Sequence, residues 1–188
     1  MLIYGATILV SSCSITHRLN KEDQTWQPYK TGDLLIFEKT DKSIDSIIIS
    51  KIEKFIDKGS VMDYALINHR NQIINVQGQV NKQINNSDFL YISKSKKQLF
   101  LRLHNYNVNK EENINVTLLD LKPFFYIDKL YGNCYLIDSI KYNKEFKTYY
   151  KSILFSKKFG YLKFNLVNGN NIVLKQFIRN GENIILTN

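Results

Sequence analysis

With 188 residues, 44% of them hydrophobic and 13% aromatic, the chain is long enough and apolar enough to bury the core of a folded domain. Its two prolines and eight glycines exclude a Pro/Gly-rich disordered class. The net charge of +9 admits nucleic acid, anionic lipid or acidic polysaccharide as partners. That charge is spread along the chain and carried mainly by lysine, whereas bidentate reading of phosphates and base edges favours arginine. Nucleic acid is therefore not the expected partner.

In chain order, the first feature is an uncharged apolar run, Leu2 to Val10, leading into Val10-Ser11-Ser12-Cys13. An apolar stretch and small residues before a cleavage point are two parts of a secretory signal. The third part, a basic start, is missing, since the first Lys or Arg is Arg18. The run is also too short for a spanning helix, which needs ~20 apolar residues. The order aliphatic-Ser-Ser-Cys resembles the lipobox of bacterial lipoproteins. That resemblance implies cleavage after Ser12, acylation of Cys13 and display in the bacterial cell envelope, with the outer membrane as the expected location, facing the periplasm or the cell surface. Acyl chains contribute ~0.8 kcal/mol per buried CH₂, so several together replace a transmembrane segment as the membrane contact. On this reading residues 1–12 are a signal peptide and residues 13–30 are the lipidated Cys with a flexible polar tether, Trp26 being placed to dock on the domain edge. Residues 31–188 form a single antiparallel β-rich domain.

Within that domain, Asp33 to Lys39 and Asp45 to Ile52 read as strands about a turn at Asp41-Lys42-Ser43. The isoleucine run of the second suits a strand better than a helix. Lys51 to Asp57 fits either a continued strand or a helical turn. Met62 to His69 and Gln72 to Gln77 read as two strands about a turn at Arg70-Asn71. Phe89 to Ser93 and Gln98 to His104 form an expected hairpin. In its second arm Leu99, Leu101 and Leu103 alternate with Phe100, Arg102 and His104, the period-two signature of a sheet with two distinct faces.

Asn105 to Asn113 reads as a polar linker, and one short helix is expected within Thr117 to Phe125. Cys134 to Ile140 is a strand, followed by a meander of Tyr149 to Phe155, Tyr161 to Leu166 and Ile172 to Ile178. Asn168-Gly169 between apolar runs is a strong hairpin signal. A last short strand runs Asn183 to Leu186. About ten short strands with at most one or two short helices predict a mainly β fold, an antiparallel curved sheet, sandwich or open barrel.

Two further phrases carry a resemblance. Thr31-Gly32-Asp33-Leu34-Leu35-Ile36-Phe37 is similar to the first strand of small Bacteroidota lipoproteins. Tyr149-Tyr150 with Ser156-Lys157-Lys158-Phe159-Gly160-Tyr161-Leu162-Lys163-Phe164 resembles a strand-turn-strand phrase near their ends. With the lipobox, the match covers about a third of the chain in three pieces. It implies lineage and address but no activity.

Motifs for chemistry are sparse. His17, His69 and His104 share no metal-ligand spacing. There is no Gly-x-Ser-x-Gly elbow, phosphate loop or dinucleotide glycine pattern. Asp33, Asp63, Asp120 and Asp138 are scattered. Asp45-Ser46-Ile47 and Asp138-Ser139-Ile140 match a short Bacteroidota O-glycosylation pattern but fall in expected strands. Lysines 141, 144, 147, 151, 157, 158 and 163, interleaved with aromatics, fit the solvated face of strands better than a stacking platform. Cys134, in an apolar run, reads as a buried free thiol, with a Cys13–Cys134 disulfide as the alternative if Cys13 is not lipidated. The expectation is a lipoprotein anchored to the membrane at Cys13, with no catalytic, cofactor or metal residues assigned and a non-enzymatic binding role toward an unidentified protein, glycan or lipid. A carrier of lipid or other apolar ligand is the alternative, and an envelope hydrolase stands behind it.

Overall fold

The computed structural model describes residues 13–57, 67–83, 86–95, 98–104, 113–117, 125–128, 130–138 and 150–185. These form thirteen strands and one helical turn, β1 (Cys13–His17), α1 (Lys21–Gln24), β2 (Leu34–Lys39), β3 (Ile44–Ile56), β4 (Ile67–Val80), β5 (Ser87–Ser95), β6 (Gln98–His104), β7 (Asn113–Thr117), β8 (Phe125–Asp128), β9 (Gly132–Asp138), β10 (Tyr150–Ser156), β11 (Gly160–Leu166), β12 (Asn171–Arg179) and β13 (Glu182–Asn183). Twelve strands make one antiparallel open sheet in the order β7-β6-β5-β4-β3-β2-β12-β11-β10-β9-β8, with β13 beside β12. β1 adds to β4 in parallel. The expected mainly β, antiparallel curved sheet is the fold observed. Its end strands β7 and β8 do not pair with each other, so the barrel is not closed.

The sheet curls sharply. β5 and β11 stand five strand steps apart, about 24 Å in a flat sheet at ~4.8 Å per step. Yet the Tyr161 hydroxyl on β11 donates to the Phe89 carbonyl on β5 at 2.8 Å. Register shifts at Ile49/Lys51, Val76/Gln77 and Leu174/Gln176 supply bends of the kind β-bulges give. The concave side is filled by large side chains, among them Trp26, Phe37, Phe89, Phe155, Tyr161 and Phe177, all fully buried. Edge contacts such as Phe155–Tyr161, with centroids 5.5 Å apart and planes at 90°, are the geometry aromatic quadrupoles favour.

The segment expected as a flexible tether is instead part of this core. Asn20 and Asp23 form a capping box on α1, each side chain accepting from the other's backbone N–H. The Lys94 ammonium donates to Asp23 at 2.6 Å. Trp26, 1% exposed, lies 4.8 Å from the Tyr135 ring and under the Lys157 ammonium at 4.5 Å. Tyr29 reaches across the interior, where its hydroxyl accepts the Tyr161 backbone N–H at 2.9 Å. That approach requires Gly160, because a Cβ there would meet the Tyr29 hydroxyl, and Gly160 also has φ +74°. Polarity misled the sequence reading. Short polar residues at a helix start cap the backbone, and two aromatics dominate the burial of the segment.

Two other expectations change, and one open alternative is resolved. Residues 70–71 are no turn, since β4 runs unbroken from Ile67 to Val80. The stretch to Ile56 is strand, settled by pairing with β4. Phe125 opens strand β8, while the rest of the expected helix, 118–124, lies outside the described residues, as do 62–66 and 141–149.

Candidate binding site on the outer face

Register fixes which side chains share a face. On β4, Ile74 and Val76 point into the core, so Ile73, Asn75 and Gln77 point outward. On β5 and β6 the inward set is Leu90, Ile92, Leu99, Leu101 and Leu103. The outward set then pairs across the strands as Tyr91 with Arg102 and Ser93 with Phe100, and Tyr91 also sits opposite Asn75. This is the alternation visible in the sequence of β6, with the leucine row turned inward.

Tyr91, Ser93, Phe100 and Arg102 line a cleft of about 290 Å³, near the lower size of small-ligand sites. The Arg102 guanidinium lies 4.9 Å from the Tyr91 ring centre, a cation–π contact across the two strands. Burial raises the Tyr91 hydroxyl pKa, opposed by Arg102 and reinforced by Asp57 and Asp88. It therefore stays a protonated donor. Beside it Asn75, 9% exposed, donates through Nδ2 to Asp88 Oδ1 at 2.9 Å, while Gln77 donates to the same oxygen at 3.2 Å. The Asn75 Oδ1 is buried without a hydrogen-bond partner. Such an atom costs about 1–3 kcal/mol if it stays unpaired. The cleft offers two ring faces, a guanidinium and two hydroxyls on one shelf.

The residues singled out from sequence fall elsewhere. Cys13 begins β1, its backbone in register with Ile67. His17 and His69, unrelated in sequence spacing, meet with Nε2 and Nδ1 3.0 Å apart. His104 ends β6, with its backbone paired to Asn113. Cys134 is buried and free, and burial pushes its thiol up to about 11. Asp33 is held by Arg179 through two hydrogen bonds, Nε to Oδ1 at 2.9 Å and Nη2 to Oδ2 at 2.6 Å. Asp45 is ion-paired to Lys39 at 2.9 Å, and Ser46 lies near the start of β3. Of the lysine-aromatic stretch, Lys157 and Lys158 lie over the Trp26 and Phe159 rings, so these two cover the domain's own aromatics. Asp63 and Asp120 lie outside the described residues. Among the described residues no three His, Cys, Asp or Glu side chains converge, and no helix is long and apolar enough to cross a membrane.

Comparison of the chain with protein-family models, with curated proteins and with solved structures gave no match.

Proposed function

We propose that this chain is a lipid-anchored binding module of the bacterial cell envelope, acylated at Cys13, which takes a glycan on the outer shelf of β5 and β6. The observation that carries the binding role is the shelf itself. Tyr91 and Phe100 supply apolar ring faces for sugar C–H surfaces, while Arg102 and Ser93 supply donors for hydroxyl and carboxylate groups. The Val10-Ser11-Ser12-Cys13 motif supports the address. Since β1 starts at Cys13 and is packed on β4, an anchor there holds the domain against the membrane with little slack. The concave interior is filled by aromatic side chains, which favours an external shelf over a carrier's enclosed cavity.

Two measurements test the two halves separately. In cells fed an alkyne fatty acid, the wild type is expected to label and Cys13→Ala to lose the label; equal labelling defeats the anchoring claim. For binding, the purified protein is co-sedimented with peptidoglycan sacculi, which present sugar faces and carboxylates together. The wild type is expected to pellet and Phe100→Ser to stay in solution; no difference between them removes the shelf as the glycan site.

A further inference from the structure

We infer that His17 and His69 form a surface site for one divalent late transition-metal ion, with the chemistry of Zn(II), Ni(II) or Cu(II). The two residues lie 52 positions apart in the chain, and only the parallel docking of β1 on β4 brings them together. In that register Ile15 pairs with His69 and His17 with Asn71, so His17 and His69 are diagonal neighbours on one face. Their ring planes are within 15° and their centroids 5.2 Å apart. The Nε2–Nδ1 separation of 3.0 Å accounts for most of that centroid distance. The rings therefore meet edge to edge, nitrogen facing nitrogen, rather than face to face.

That separation matches what an ion requires. Two imidazole nitrogens each ~2.0 Å from one ion stand roughly 2.8–3.4 Å apart in cis square-planar or tetrahedral coordination. Both side chains reach solvent, so a swing of one ring about its χ angles lets both lone pairs converge on the ion. In the N–H···N bond one nitrogen carries a proton. Metal binding needs both bare, with His17 as its Nδ1–H tautomer and His69 as its Nε2–H tautomer. The neutral pair reaches that state by moving one proton between its own ring nitrogens, with no net proton released.

A second observation points to the same place. Asn71, beside His17 in the β1–β4 register, holds its Oδ1 buried without a hydrogen-bond partner. A water on the ion is the kind of donor that such a carbonyl lacks. With two protein ligands the remaining positions fall to water, so the site takes an exchangeable ion rather than a locked structural one. Imidazole suits zinc, nickel and copper, and affinity rises to copper in the divalent series. Bound metal would tie β1 to β4 by a link independent of the backbone ladder.

The test is isothermal titration of the full chain with Zn(II), which avoids oxidation of the Cys134 thiol. The wild type is expected to bind one equivalent, and His17→Ala and His69→Ala are each expected to lose at least tenfold in affinity, since even outer-shell partners are worth roughly 10–100-fold. His104→Ala is expected to keep the wild-type affinity. Far-UV circular dichroism confirms that each variant keeps its strands, and His17→Gln serves as a second variant of similar bulk. Absence of binding by the wild type overturns the proposal, as does equal binding by His17→Gln or by His69→Ala.

Discussion

On the inner face of the sheet, three polar contacts tie the N-terminal segment to the fold. Arg179 grips Asp33 at two oxygens and also donates to the Pro28 carbonyl at 2.7 Å, Lys94 meets Asp23, and the Tyr29 hydroxyl accepts the Tyr161 N–H. On the outer face of β4 to β6, Asn75 keeps a buried oxygen unpaired beside an open cleft lined by two aromatics, a serine and an arginine. The contrast separates two kinds of polar residue. The inner ones fix how the N-terminal segment docks, and their partners are already present. The outer ones stand on paired strands, and Ser93 and Arg102 line the cleft with the two aromatics.

The sharpest way to break this contrast is Trp26→Ala. A buried Trp truncated in a packed core costs about 3–5 kcal/mol, read as a lower urea midpoint. A silent substitution would return residues 13–30 to the status of a loose tether. Next comes Asp33→Asn, which leaves Arg179 without its charge partner. Asp33 is 2% exposed, so about 3 kcal/mol is expected to be lost in the same denaturation assay. Gly160→Ala is expected to cost about 2–3 kcal/mol, combining the left-handed backbone with displacement of the Tyr29 hydroxyl.

The smallest of these effects concerns Cys134. Burial raises its thiol to about 11. It is therefore expected to resist Ellman's reagent at pH 8 until urea unfolds the chain. Because the folded value lies above the ordinary thiol range, this group's contribution to stability is present at neutral pH. It is lost as pH rises through that range toward 11. Rapid reaction in the native state would show that β9 does not enclose it.

The strand-rich fold was legible because period-two alternation is a local property, clearest in Leu99, Leu101 and Leu103 against Phe100 and Arg102. The docked N-terminal segment was not. Its burial rests on two aromatics, and its polar groups find partners far away in the chain, as Asp23 does with Lys94 and the Pro28 carbonyl with Arg179. The strand through Arg70-Asn71 was missed because pairing with β1 and β4's other neighbours overrides a polar, turn-like dipeptide. Half of the candidate shelf, Phe100 and Arg102, stood out as the face opposite the leucines. Tyr91 and Asn75 joined it only through cross-strand register. The His17–His69 meeting had no sequence signal at all, since it depends on β1 pairing in parallel with a strand 52 positions on.

The inner face stabilises the fold, and the outer shelf is proposed to bind. One paired measurement tests this division most directly, the Tyr91→Ala/Arg102→Gln double variant assayed for both urea midpoint and co-sedimentation with peptidoglycan sacculi. A stability loss of at most ~1–2 kcal/mol is expected, well below that of Trp26→Ala, together with loss of pelleting. Pelleting at the wild-type level by a folded double variant would contradict this division.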